Sequence, residues 1–282
     1  MLHGVEVNGG VLSVETAGGD GQPILAIHGI SSHRRLFDWV RAAAPDLSLI
    51  VPDLRGRGDS VGVAGPFGMA QHAADLVAVL DALGLDAVHV CGMSMGGFVA
   101  VEMATAFPDR VRTVTLVDGG FPMPAPPGLT PETVALAFKD RVARLEHPWA
   151  SVEEYAALFT STTAPLLDAE DPSVLAYLRH DLDAEGRVRL SGDALVEDAS
   201  DVFFSELPWR GVKQPTRLVY AEWSTGIDTP PAYTPASVAG YATEMPSLVD
   251  ACRIDGADHA TSIMGETAGR VVADVLRAAI GG

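Results

Sequence analysis

The sequence predicts an α/β fold, a mostly parallel eight-stranded sheet flanked by helices, with an all-helical segment inserted after the sixth strand. Three observations carry this. Short apolar runs suited to strands alternate with helical spacing up to residue 120 and again after residue 213. Between those limits the strand pattern stops. At residues 87–107 an alternating run changes at once to helical spacing across Gly92-Met93-Ser94-Met95-Gly96, a strand turning sharply into a helix.

Taken in order, Val5-Glu6-Val7 and Val11-Leu12-Ser13-Val14 flank Asn8-Gly9-Gly10, the signal for a hairpin. Ile24-Leu25-Ala26-Ile27 is a continuous apolar run suited to a strand buried on both faces, and it ends in His28-Gly29-Ile30. A helical pattern over 36–44 stops at Pro45, and a strand over 47–51 leads into a loop containing Arg57-Gly58-Asp59. That tripeptide matches a cell-adhesion signal. With no secretion signal at the start of the sequence, it is read as accidental. An amphipathic helix over 69–84 presents Ala73, Leu76, Val77, Leu80 and Leu83 on one face and stops at Gly84. The central strand over 88–92 follows, then the helix through Phe98, Val101, Met103 and Ala106, which ends at Pro108. A strand over 111–117 finishes at Asp118-Gly119-Gly120.

From Phe121 a proline-rich exit leads into three or four helices, whose starts are marked by Thr130-Pro131-Glu132, the capping box Ser151-Val152-Glu153-Glu154, and Asp171-Pro172. Strands over 217–221 and 251–254 resume the sheet, and a helix through Val271, Val272, Val275, Leu276 and Ile280 closes it. The expected division is a core of residues 1–120 and 214–282 with a helical lid over 121–213.

A formal net charge of −18 argues against a nucleic-acid partner, because little here would displace phosphate counterions. No run approaches the length of a membrane span, and the first ten residues lack the basic and apolar regions of a signal peptide. The two cysteines, Cys91 and Cys252, fall in apolar runs expected to be buried strands and form neither a disulfide framework nor a zinc site. A reducing cytoplasm is the expected compartment, and a monomer or homodimer the expected state. Neither a metal-ligand cluster nor a nucleotide-binding loop is present, so no cofactor is expected.

Small residues flank Ser94 because a serine on a strand-to-helix turn takes a strained, positive-φ backbone that leaves no room for bulk. The turn also aims the helix N-terminus, with its unpaired N–H groups, beside the serine hydroxyl. A hydroxyl is a poor nucleophile until a base takes its proton, so Ser94 needs a histidine.

Together with the order of elements, His28-Gly29 after the third strand, Gly92-Met93-Ser94-Met95-Gly96-Gly97 after the central one and Gly256-Ala257-Asp258-His259 after the last resemble the α/β-hydrolase superfamily. The resemblance spans the chain and implies a nucleophile–acid–histidine machine without naming its substrate. Of the eight histidines it implies His259 as general base and then acid. His28 is expected to brace the oxyanion loop, and His33, on a loop at the active end, to contact substrate. Most relatives carry the acid a few residues past the strand that ends here at Ala221, where Ser224 stands instead. Asp118, 24 residues after Ser94, ends the strand after the nucleophile helix. Some haloalkane dehalogenases and the fungal lactonases that open zearalenone place their acid there, and the chain is similar to them in Pro108-Asp109-Arg110-Val111-Arg112 leading to Asp118. Asp118 is the favoured acid, with Glu222 or Asp228 as alternatives.

The N–H groups of Ile30 and Met95 are the expected oxyanion donors. A serine at the turn argues against haloalkane or epoxide chemistry, which needs a carboxylate nucleophile. The expected reaction is hydrolysis of an apolar ester or lactone through an acyl-enzyme, with Phe121, Met123, Phe138, Trp209 and Trp223 flanking the lid as possible substrate contacts or as ordinary lid core. A C–C bond hydrolase of vinylogous diketones, an acyltransferase or perhydrolase, and a ligand receptor on the same fold remain open.

Overall fold

The computed structural model describes residues 1–123, 125 and 127–281. Pro124 and Pro126 of the proline-rich exit lie outside the described residues, as does Gly282.

Eight strands form one sheet: β1 (Leu2–Val7), β2 (Gly10–Ala17), β3 (Pro23–Ile27), β4 (Ser48–Pro52), β5 (Val88–Met93), β6 (Val111–Val117), β7 (Thr216–Ala221) and β8 (Leu248–Ile254). Their order is β1-β2-β4-β3-β5-β6-β7-β8, antiparallel at β1–β2 and β2–β4 and parallel from β4 onward. The strands alternate as a sheet covered on both sides requires. In β3, Leu25 and Ile27 join one core while Ile24 and Ala26 join the other.

The helices of the core are α1 (Asp38–Ala43), α2 (Met69–Ala82) and α3 (Met95–Ala106), then, beyond the insertion, α9 (Pro235–Glu244) and α10 (Glu266–Gly281). Buried residues of α2, α3 and α9 pack on one face of the sheet, those of α1 and α10 on the other. α3 is apolar nearly all round because it is covered nearly all round, with Phe98, Val99, Ala100, Val101, Met103 and Ala104 all buried. α10 is amphipathic, and its buried Val272 and Leu276 each contribute roughly 1.5–3 kcal/mol.

Among the described residues, five α-helices fill the connection between β6 and β7: α4 (Val134–Ala137), α5 (Lys139–Leu145), α6 (Val152–Thr162), α7 (Pro172–Asp181) and α8 (Gly192–Phe204). The N-caps expected at Ser151 and Asp171 are present, but the capping box at Ser151 is only half formed, because the Glu154 carboxylate accepts the Ala150 N–H at 3.1 Å instead of that of Ser151. Ser151 accepts from the Glu154 N–H at 3.2 Å, and Asp171 from the Ser173 N–H at 2.7 Å, with Pro172 as first helical residue. At Thr130 the expected helix start is instead a turn closed by Thr133, and the helix begins at Val134. Helix α9 was not anticipated. Its sequence does carry a signal, Thr234-Pro235 with Ser237 completing a capping box, but Val238 is its only buried residue, so the apolar periodicity is weak. Cys91 is buried as expected, whereas Cys252 is half-buried, because β8 is an edge strand with most of its side chains turned to solvent.

The chain passes from β4 over β3 to β5, so the order reverses at β3 and β5. In open α/β sheets the crevice beyond the carboxyl ends of strands at such a reversal is where ligands bind. Ile30 follows β3 and Ser94 follows β5.

Candidate active site

Ser94 sits between β5 and α3 with φ 53° and ψ −122°, a conformation in which a side chain is strained. Glycines make the turn possible. A Cβ on Gly92 would lie 2.1 Å from the Gly96 carbonyl oxygen, and one on Gly96 2.1 Å from that of Ile27. The serine N–H donates to the Val117 carbonyl at 2.9 Å, which ties the turn to the end of β6.

Met93 pairs with Val117 across β5 and β6, so the residues that follow, Ser94 and Asp118, leave the sheet side by side. Asp118 also has a positive φ, 43°, and Gly119 next to it approaches so closely that a Cβ there would lie 2.1 Å from the Ser94 carbonyl oxygen. The Asp118 carboxylate is buried. One oxygen accepts the Ala221 N–H at 3.0 Å, and the other lies 2.6 Å from His259 Nδ1. The remaining ring nitrogen, Nε2, is 3.0 Å from Ser94 Oγ. The structure thus brings Ser94, His259 and Asp118 into one hydrogen-bonded chain.

His259 is carried by the loop after β8, and four hydrogen bonds fix that loop. Its N–H donates to the Ser224 carbonyl at 2.9 Å. The fully buried Asp258 accepts from the Gly226 N–H at 2.9 Å and from the Thr261 N–H at 2.9 Å, clamping the β7 and β8 loops together. Ser262 Oγ donates to the His259 carbonyl at 2.8 Å. Burial lowers the imidazole pKa, but the hydrogen bond and charge of Asp118, with Asp258 behind it, outweigh burial and leave the pKa above its ordinary 6.5.

Neither alternative acid is bonded to His259. Glu222 accepts the Gly256 N–H at 2.7 Å, and Asp228 is exposed on the loop after β7. His28 is fully buried, with Nδ1 2.8 Å from the Gly29 carbonyl and Nε2 accepting the Leu54 N–H at 3.0 Å, so Nδ1 carries the proton. Burial pushes its pKa down to about 4, which keeps it a neutral brace.

A cavity of about 550 Å³ opens over the serine, lined by Ile30, Ser94, Met95, Asp118 and His259 below and by Met123, Phe138, Ala199, Val202 and Phe203 from the insertion. A second of about 220 Å³ shares Ile30, Ser94, Arg141 and His259 and extends toward Ser31, Ser32, Phe159 and Tyr177. Ser94 therefore stands where two lobes meet. Met95 is the first residue of α3, and its N–H, like the others of a first helical turn, has no acceptor within the helix.

Four expected contacts lie off these linings. His33 is fully buried, because it turns inward to cap the turn at Arg34–Phe37 and stacks on Tyr177 with ring centroids 4.4 Å apart. Ile30, Ser31 and Ser32 of the same loop face the cavities in its place. Phe121 and Trp209 pack edge-to-face at 5.4 Å in the core beside Tyr241, and Trp223 is half-buried, its backbone N–H donating to the Ala257 carbonyl. Met123 and Phe138 do line the larger cavity.

Asp53, Asp59 and His180 offer metal-ligand atoms within 4.8 Å of one another. Arg34 is bonded to both carboxylates and Arg189 to Asp59, so guanidinium groups already fill the cation's place. Among the described residues, no helix is long and apolar enough to cross a membrane.

A serine, a histidine and a carboxylate meeting above the carboxyl edge of this sheet define an α/β hydrolase. The chain belongs to that family: residues 22–221 match the alpha/beta hydrolase fold. It is 33% identical over 147 residues to lipase LipV of Mycobacterium tuberculosis, a match covering 52% of this chain and 55% of the lipase. The chain thus spans about half the length of that curated relative. Among solved structures it resembles E-2-(acetamidomethylene)succinate hydrolase, with TM-score 0.75, 22% identity and all of both chains covered. It also resembles the enol-lactonase of Burkholderia xenovorans, with TM-score 0.73, 20% identity and coverage of 99% of this chain and 100% of that one.

Proposed function

We propose that the protein is a serine hydrolase that cleaves a small apolar carboxylic ester or lactone through an acyl-enzyme on Ser94. The observation that carries this is the continuous hydrogen-bonded chain from Asp118 through His259 to Ser94, open to a largely apolar cavity. In this reading His259 Nε2 takes the Ser94 proton as Oγ attacks the carbonyl carbon. The N–H groups of Ile30 and Met95 donate hydrogen bonds to the carbonyl oxygen as negative charge develops on it. His259 then returns the proton to the departing alkoxide, which in a lactone stays attached to the acyl group. A water activated by the same nitrogen releases the acid. Lactone hydrolysis gains support from the enol-lactonase likeness of the fold. The two lobes around Ser94 suit a substrate with substituents on both sides of the scissile carbonyl.

A panel of p-nitrophenyl esters, aliphatic lactones and vinylogous diketones tests this reading. Turnover of esters or lactones is the expected result; turnover of diketones alone would replace it with C–C bond cleavage. Because the base must be neutral and its pKa is raised above 6.5, kcat/KM should fall as the pH drops through a value above 6.5. A pH profile whose acid limb lies well below 6.5 would show that His259 is not the group that titrates.

A further inference from the structure

The Arg57 side chain is fully buried and makes five polar contacts. Nε donates to the Ile30 carbonyl at 3.1 Å and Nη1 to that of Arg55 at 2.9 Å. Nη2 lies 2.6 Å from an Asp198 carboxylate oxygen, 3.4 Å from the Ala194 carbonyl and 3.9 Å from Met95 Sδ. One guanidinium therefore touches both residues proposed to stabilise the oxyanion. We infer that Arg57 is a positioning residue for the oxyanion site, anchored to the helical insertion through Asp198.

The geometry gives the reason. The Gly29 carbonyl and the Ile30 N–H belong to one planar peptide, so His28, by holding that carbonyl, directs the N–H the opposite way. The next peptide carries the Ile30 carbonyl, and Arg57 holds it. Two consecutive peptides of the loop are thus fixed from opposite ends. Asp198 is itself immobilised, accepting from the Gly68 N–H at 2.6 Å and lying 2.9 Å from His72 Nε2. It stands on α8, the helix that also supplies Ala199, Val202 and Phe203 to the larger cavity. Two backbone bonds join the Arg57 loop to the segment before α8, Gly58 N–H to the Arg189 carbonyl at 2.9 Å and Ser191 N–H to that of Gly56 at 2.8 Å. The wall of the cavity and the oxyanion loop are held by the same residue. The apparent adhesion tripeptide is consumed in this joint.

The inference rests on the serine-hydrolase reading, and the test separates the two. Arg57→Lys keeps a charge for Asp198 but loses the fork that reaches Ile30. Removing one partner of a buried ion pair is strongly destabilising, so the second variant neutralises both, Arg57→Met with Asp198→Asn. Each is compared with wild type on p-nitrophenyl acetate, with thermal unfolding recorded and with phenylboronic acid as a mimic of the tetrahedral oxyanion. Displacing a donor without deleting it should lower kcat by about tenfold, with KM little changed, and weaken the boronate in parallel. A folded variant with kcat and boronate affinity within about twofold of wild type, or one altered in KM alone, overturns the inference. Loss of folding in both variants also overturns it, since the arginine would then serve the fold and nothing more. Wild-type turnover that survives Ser94→Ala would instead remove the serine reading itself.

Discussion

Ser94→Ala is expected to reduce turnover of any accepted ester or lactone by on the order of 10⁵- to 10⁶-fold, by analogy with serine-protease triads. The loss follows from the site's dependence on one oxygen. Ser94 Oγ is the atom that His259 Nε2 reaches at 3.0 Å, and in the proposed mechanism neither attack nor an acyl-enzyme is available without it. The protein should stay folded, because the methyl group occupies the same position on a turn whose tightness is set by Gly92, Gly96 and Gly119. KM-like binding of a product acid or inert analogue should be nearly unchanged. Turnover within tenfold of wild type in a preparation free of contaminating esterase would reject the assignment.

Asp118→Asn is expected to cost up to about 10⁴ in kcat, again by analogy with serine-protease triads. The mechanism is specific to this geometry. The carboxylate accepts the Ala221 N–H with one oxygen and faces His259 Nδ1 with the other. An asparagine would keep its oxygen on Ala221 and turn its NH₂ toward Nδ1. That nitrogen would then have to accept, which puts the ring proton on Nε2, where the base must be bare. The imidazolium formed during attack would also lose its counter-charge. Glu222→Gln and Asp228→Asn should each change kcat by less than about threefold, since neither side chain bonds the histidine. Inactivity of either one, with an active Asp118→Asn, would move the acid to β7.

How much of this was legible in the sequence depended on whether a feature is local. The Ser94 turn is local: small residues at Gly92 and Gly96 are demanded by backbone atoms within a few residues or at the end of the adjacent strand β3. β6 was legible over its full length, Val111–Val117, because its apolar run is continuous and ends at Asp118-Gly119-Gly120. His33 was misplaced, and Phe121 and Trp209 were left between substrate contact and core, for the opposite reason. An aromatic ring near a lid has the same composition whether it faces a cavity or the core behind it, and only the direction of the loop separates the two. For His33 that direction is set by its inward turn as a helix cap and by Tyr177, 144 residues away in the chain. Arg57 was read as part of an accidental tripeptide because its partner, Asp198, lies on a helix 141 residues later. Neither pairing leaves any spacing or periodicity to detect. Cys252 belongs with these, since an edge strand and a central strand differ only in the neighbours they acquire.

The central claim is that Ser94 forms a covalent acyl-enzyme, and a single mass measurement tests it. The protein is mixed with a slowly deacylating p-nitrophenyl ester, quenched in acid within the burst phase, digested and mapped. The expected result is one acyl group on the peptide containing Gly92-Met93-Ser94-Met95-Gly96, fragmenting to Ser94 and absent in Ser94→Ala. A burst of p-nitrophenol with the acyl group on any other residue, or steady turnover with Ser94 never acylated, would contradict it.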